Sequence, residues 1–305
     1  MSERWGREGK VVSDVEDRIR ALPIWSGSLT IEPLKGGLSN ESYKVRDGDR
    51  AYVVRFGQDF PFHHVFRERE VMTSRAAAAA GLAPNLVHAE PGVMVLDYVD
   101  GKTLDADDVK ANIPRIAELA FRFHQTMPHH VGGPGFMFWP FHVIRDYAHT
   151  LKAGNSRMMP KLEDYLTLAE ELERAQLPLP IIFGHNDLLP GNFIDDGARL
   201  WLIDFEYGGF STAMFDLAGI ASNAEFDDEQ AGMLLALYFR RQPGNDMIKS
   251  HAAMQCASLL REAMWSMVSE LYLDAPGADY VAYTQENLDR LDVALDSYRS
   301  RFGKA

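Results

Sequence analysis

The segment Phe183-Gly184-His185-Asn186-Asp187-Leu188-Leu189-Pro190-Gly191-Asn192-Phe193, followed by Leu202-Ile203-Asp204-Phe205-Glu206, decides the fold. Apolar runs at 181–184, 193–194 and 200–203 read as short strands, with Pro190 and Gly191 breaking the chain between the first two. Asp187, Asn192 and Asp204 therefore fall in loops at strand ends, where side chains can converge on a ligand instead of entering a core.

Working outward, the chain beyond about residue 100 is mainly helical. Helical patterning covers 105–127, 141–151, 158–175, 212–223, 227–241, 248–273 and 279–301. Residues 127–140, rich in Gly, Pro and aromatics, read as an irregular surface insertion. Towards the N-terminus, β-rich pieces at 28–34, 42–46 and 51–56 alternate with the turn signals Lys35-Gly36-Gly37 and Asp47-Gly48-Asp49, the pattern of an antiparallel meander. Residues 64–80 turn helical and close at Gly81, with Pro84 beyond. Short β-like pieces follow at 85–88 and 93–96, and then Asp97-Tyr98-Val99-Asp100-Gly101 interrupts the apolar run. The expected organisation is an N-terminal lobe over 1–97 and a larger C-terminal lobe over 98–305. The fold class is α+β, an antiparallel sheet plus one helix followed by helices.

Composition narrows the partners. The chain has 305 residues, 46% hydrophobic and 25% charged, which is enough for real cores and excludes a wholly disordered chain. With 44 Asp+Glu against 31 Lys+Arg the net charge is -13, so nucleic acid and anionic lipid are poor partners and a cationic small molecule is a good one. Cys256 is the only cysteine, and no Cys/His cluster has zinc spacing; both fit a reducing cytoplasm. MSERWGREGK has no apolar region behind it, so no signal peptide is expected, and apolar stretches such as 233–239 are too short to cross a bilayer.

His-x-Asp, an Asn five residues beyond the Asp, and an Asp-Phe pair closing an apolar strand match the catalytic layout of a kinase. Phosphoryl transfer from ATP asks the protein to aim a hydroxyl at the γ-phosphate and to hold Mg²⁺ against the spreading charge. Asp187 would orient the hydroxyl and take its proton. Asn192 and Asp204 offer the oxygen ligands that hard Mg²⁺ prefers.

Residues 183–217 resemble the choline kinase and aminoglycoside phosphotransferase superfamily. His-Asn-Asp-Leu-x-x-x-Asn with Ile-Asp-Phe-Glu-Tyr is most similar to its choline/ethanolamine kinase branch. Leu189-Pro190 is closer to bacterial members, since eukaryotic ones tend to have Gln there. The resemblance implies a two-lobed protein-kinase-like fold with ATP and Mg²⁺ as cofactors. Gly36-Gly37-Leu38-Ser39-Asn40-Glu41-Ser42-Tyr43-Lys44-Val45 is similar to the family's nucleotide loop, in which Ser39 and Asn40 offer donors; a hairpin turn without a ligand is the competing reading. Arg55, in Val53-Val54-Arg55-Phe56, occupies the place of the cation that holds the α/β-phosphates. Glu70 is its expected helix partner and Glu68 the alternative, because positions two apart on a helix face different ways. Asp97-Tyr98-Val99 matches the segment whose backbone meets adenine.

Phe215-Asp216-Leu217-Ala218 is similar to the family's Asp-Leu-Ala element, which implies that Asp216 supports the backbone of the catalytic loop; a helix N-cap is the other explanation. His185 is expected to brace the same loop. The pairs His63-His64 and His129-His130 read as surface.

Choline kinases resemble an aromatic box around a quaternary ammonium, and Glu206, Tyr207, Trp265 and Tyr272 are the candidates here. Trp265, Ser269 and Tyr272 share a helix face, apart from the apolar stripe Leu260, Met264, Met267 and Leu271. A core role is the alternative for both aromatics on that helix. Such kinases usually carry a second tryptophan near the first on this helix, whereas here Ala263-Met264-Trp265-Ser266-Met267 has one, so the box would be looser or serve a different amine. The expected activity is ATP- and Mg²⁺-dependent phosphorylation of a small cationic amino alcohol, choline or ethanolamine. An aminoglycoside, thiamine or other small-alcohol kinase is the alternative within that chemistry. A catalytically silent binding protein is the alternative outside it, opposed by the complete set Asp187, Asn192, Asp204, Arg55 and Glu70.

Overall fold

Alternation across the pleat sorts the residues of the N-terminal strands between a core and a cleft. A computed structural model describes residues 15–34, 40–275 and 277–303. A helix at 15–21 (α1) precedes β1 (Leu29–Leu34), β2 (Glu41–Asp47) and β3 (Arg50–Phe56), which form the expected meander. The helix α2 (Arg67–Ala79) then leads to β4 (Leu86–Glu90) and β5 (Val93–Asp97). The strands make one antiparallel sheet in the order β1-β2-β3-β5-β4. Along β3, Tyr52, Val54 and Phe56 are buried with Val15 and Ile19 of α1 and with Leu22 just beyond it. The intervening Val53 and Arg55 face the other way, towards a cleft.

The rest of the chain supplies the other wall. It contains β6 (Lys102–Thr103), α3 (Ala106–Ala111), α4 (Ile113–Thr126), α5 (Pro140–Ala153) and α6 (Leu162–Arg174). After these come β7 (Ile181–Gly184), β8 (Phe193–Asp195), β9 (Leu200–Leu202) and β10 (Gly209–Thr212), and finally α7 (Ala213–Asn223), α8 (Asp228–Phe239), α9 (Asn245–Tyr272) and α10 (Tyr280–Phe302). β6, β8 and β9 form one small sheet and β7 pairs with β10 in another, so Asp187, Asn192 and Asp204 do stand at strand ends. The middle of α9 is buried nearly all round, and its apolar residues join one large core with α4, α5 and α7.

Several expectations are corrected. The single helix over 105–127 is two, broken at Asn112, because Pro114 lacks the N–H that would continue the first and instead suits the opening turn of the second. Residues 127–140 are mostly exposed between 128 and 137, as expected, but the segment is anchored: Met127 and Phe138 are fully buried, and the N–H groups of Phe138 and Phe210 donate to the carbonyls of Phe210 and Phe136, both at 2.7 Å. His63 is buried rather than on the surface, while His129 and His130 are exposed. α1, β6 and β10 were not anticipated. No helix among the described residues is long and apolar enough to cross a membrane.

Candidate active site

The loop after β7 is fixed before any ligand is considered. The backbone N–H groups of His185 and Asn186 donate to the two oxygens of Asp216 at 2.8 and 2.7 Å. Asp216 also meets His124 Nε2 at 2.8 Å, and His124 Nδ1 lies 2.7 Å from the Tyr238 hydroxyl. Burial alone would raise the Asp216 pKa, but the His124 hydrogen bond and charge and the loop N–H groups hold it below the usual carboxylate range. Asn186 adopts a left-handed φ of 63°, which a short amide side chain tolerates, and its Nδ2 donates to the carbonyls of Tyr207 and Gly209. His185 Nε2 donates to the Ile203 carbonyl at 2.9 Å, and burial keeps the ring neutral. Asp216 and His185 thus sit behind the loop.

Asp187 projects from this frame. Burial pushes its carboxyl well above the usual range, Glu262, Asp204 and Glu206 push the same way, and the Arg261 guanidinium opposes them. Asn192 Nδ2 donates to the Asp187 carbonyl at 2.7 Å, so the amide oxygen is the end of Asn192 not used by that bond. Asp204 follows β9 with φ 67°.

On one side of Asp187 lies an interlobe network. Arg55 contacts Glu70 at 2.9 Å, Asp204 at 2.7 Å and Glu206 at 3.9 Å. Arg67 joins Glu70 at 2.6 Å and Glu206 at 2.9 Å, and Asn40 Nδ2 donates to Glu206 at 3.3 Å. The partner of Arg55 is therefore Glu70, which is buried, whereas Glu68 is exposed. Oxygens of Glu70, Asp204 and Glu206 lie within 4.8 Å of one another, a hard-donor set that fits a divalent cation such as Mg²⁺. The adjoining cavity, about 510 Å³, has Val53, Leu96, Ile194 and Ile203 on its walls and Arg55 and Asp204 among its polar residues. An apolar slot with a cation and carboxylates fits a nucleotide base and its metal-bound phosphates. Asp97, Tyr98 and Val99 also line it. Ser39 lies outside the described residues.

On the other side is an aromatic cluster. Trp265 Nε1 donates to the Tyr207 hydroxyl at 3.0 Å, and the indole stacks on His63 at 4.9 Å. His63 Nε2 donates to Ser269 Oγ at 2.8 Å, since that hydroxyl already donates to the Trp265 carbonyl. Burial depresses the His63 pKa to about 2, with Arg261 and His64 adding to the effect. Tyr272, 46% exposed, is stacked on Phe62 at the end of α9. The four expected acceptor residues thus do not form one group: Tyr207 and Trp265 meet, Tyr272 lies at the rim, and Glu206 bonds to Arg67 and Asn40 on the nucleotide side. The two stripes on α9 are both largely buried.

The sequence reading missed four further residues here. Arg261 is 4% exposed, with its guanidinium 4.8 Å above the Tyr207 ring and 2.5 Å from Glu262. The Tyr283 hydroxyl donates to Glu262 Oε1 at 3.0 Å. Glu262, Trp265, Ser269 and Tyr272 share one helix face, so extending the aromatic stripe back by one turn would have found Glu262. Arg67 was hidden in a run of four charges that reads as a solvated helix start.

Comparison with known proteins gives the family and the fold. A family model described as "Phosphotransferase enzyme family" matches residues 30–248. The chain is 27% identical over 210 residues to the "Probable ethanolamine kinase" of Arabidopsis thaliana, covering 62% of this chain and 54% of that one; it spans about half the length of that relative. It is 24% identical over 281 residues to "Protein LicA" of Haemophilus influenzae, covering 85% and 77% of the two chains. The crystal structure of a choline/ethanolamine kinase family protein from Mesorhizobium loti is similar with a TM-score of 0.77 at 26% identity, covering 93% of this chain and 95% of that one.

Proposed function

Because the chain belongs to the phosphotransferase enzyme family, we propose that it transfers the γ-phosphoryl group of ATP to the hydroxyl of a small amino alcohol, choline or ethanolamine. The observation that carries this reading is the position of Asp187, which has the Arg55–Asp204 network on one side and the Arg261–Glu262 pair on the other. Asp187 would align the acceptor hydroxyl and accept its proton as the oxygen bonds to the γ-phosphorus and the bond to the ADP oxygen breaks. A carboxylate whose proton affinity is raised by burial suits that task. Arg55, oriented by Glu70, would hold the phosphates. Asp204, with Asn192 and the neighbouring carboxylates, would hold Mg²⁺. That ion, when bound, neutralises charge on the phosphate oxygens.

We place the lobe boundary at 97/98, so that the sheet supplies the nucleotide wall and the helical part supplies Asp187 and the acceptor pocket. The names of the Arabidopsis and Mesorhizobium relatives support the amino alcohol class. The test is ADP release across choline, ethanolamine, thiamine, an aminoglycoside and sugars. Selective use of the amino alcohols is expected; turnover only with an aminoglycoside or a sugar would reject this acceptor class, and no turnover with any would favour a silent binding protein.

A further inference from the structure

A pocket built for a quaternary ammonium needs free aromatic faces and little hydrogen bonding. The cluster beside Asp187 is built differently. One face of Trp265 is stacked on His63 with an interplanar angle of 24°, and its N–H is spent on Tyr207. Tyr280 and Tyr283 meet the indole edge-on, at 6.2 and 6.3 Å. Little of the ring is left for a trimethylammonium group. What the pocket does offer is a carboxylate. Glu262 lines the same narrow cleft as Asp187, together with Arg261 and Asn287. Its side chain is 25% exposed, so it is neither sealed in the core nor free in solvent.

Its geometry is fixed from two directions: Tyr283 donates to Oε1 at 3.0 Å, and Arg261 approaches Oε2 at 2.5 Å. A carboxylate oxygen accepts more than one hydrogen bond, so each keeps capacity for a further donor. Arg261 is itself buried, over the Tyr207 ring at 4.8 Å.

We propose that Glu262 is a specificity-determining residue that accepts N–H hydrogen bonds from the acceptor's ammonium group, which makes this site one for a primary or incompletely methylated amino alcohol such as ethanolamine in preference to choline. The proposal rests on the amino alcohol reading above. A quaternary ammonium meets Glu262 only through charge, whereas an ammonium bearing hydrogens adds charge-assisted hydrogen bonds, and the difference separates the two substrates.

The test is steady-state kinetics of the full chain with ethanolamine, its N-methyl and N,N-dimethyl derivatives, and choline, for the wild type, Glu262→Gln and Glu262→Asp. Gln removes the charge and keeps one acceptor oxygen, for Tyr283 or for Arg261, while its NH2 takes the place of the other oxygen. Wild-type kcat/KM should fall along the methylation series, with the largest step at choline, where the last N–H is lost. Glu262→Gln should lower the ethanolamine-to-choline ratio roughly tenfold, the difference between a charged and a neutral hydrogen bond. The loss should fall on the KM of the primary amine and not on the KM for ATP. Glu262→Asp, which retains the charge at shorter reach, should lie between the two and recover part of the ratio. A wild type that uses choline better than ethanolamine, or a ratio unchanged in Glu262→Gln, overturns the assignment while leaving the amino alcohol reading intact. Turnover with none of the four amines overturns both.

Discussion

Arg55 donates to Asp204 across the cleft at 2.7 Å, joining the second-lobe carboxylate to a guanidinium on the sheet. The same guanidinium meets Glu70 of α2, so a single cation ties the sheet, the helix and the catalytic lobe together. Removing one partner of such a buried network leaves charge without compensation, a larger effect than losing an exposed pair.

Glu70→Ala should raise the KM for ATP several-fold by releasing Arg55 from its orientation, and Arg55→Ala should do so more strongly. Glu68→Ala, on the exposed side of α2, should leave the nucleotide KM within about twofold of wild type. Initial rates at varied ATP and saturating acceptor make the comparison. An effect of Glu68→Ala larger than that of Glu70→Ala would contradict the ion-pair assignment.

Asp204→Ala should abolish the part of the thermal shift caused by ATP that depends on Mg²⁺. Asp204 belongs to the one carboxylate trio with metal-holding geometry among the described residues. Differential scanning fluorimetry with ATP alone and with MgATP separates the contributions of nucleotide and metal. An undiminished Mg²⁺-dependent shift in the variant would place the metal elsewhere.

Acid should destabilise the protein through its buried histidines, an effect opposed in part by Asp187 and Glu206, whose carboxyls burial holds above the usual range. His63, His251 and His185 are all held below the ordinary histidine pKa by burial, the first two at about 2 and about 4. Below about pH 6.5 the unfolded chain binds protons at these sites that the folded chain refuses, so unfolding becomes easier as pH falls. Their contribution is present above that pH and is lost on the way down. Each such group adds a slope of about 1.4 kcal/mol per pH unit between its two pKa values. Denaturant unfolding at pH 7, 6 and 5 should show the decline, and His63→Gln should reduce its slope by one group's share if the variant folds similarly. A pH slope unchanged in His63→Gln would contradict the neutral buried state of that ring.

The parts of the fold carried by local pattern were legible in the sequence. The β2–β3 meander shows in its alternation and turns, and Asp187, Asn192 and Asp204 show in the apolar runs that lead into their loops. What was not legible depends on distant partners. β10 is four residues long and is defined by pairing with β7, and β6 is only two. His63 looks like a surface residue until Ser269, from the far end of the chain, receives its proton. The surface segment 127–140 gives no local sign of the bonds that tie Phe136 and Phe138 to Phe210. Glu206, two residues beyond Asp204, was expected among the acceptor residues. Its side chain is claimed instead by Arg67, and no short-range signal encodes that choice.

The most direct test of the account follows the phosphorus atom itself. Phosphorus NMR of the wild type with ATP, Mg²⁺ and ethanolamine should show a phosphomonoester resonance growing in step with ADP. In Asp187→Asn the same resonance should grow at least about 100-fold more slowly, the scale expected for loss of a positioned general base, while ATP still binds. ADP accompanied only by inorganic phosphate, or an Asp187→Asn enzyme that forms the monoester at the wild-type rate, would contradict transfer to the amino alcohol through Asp187.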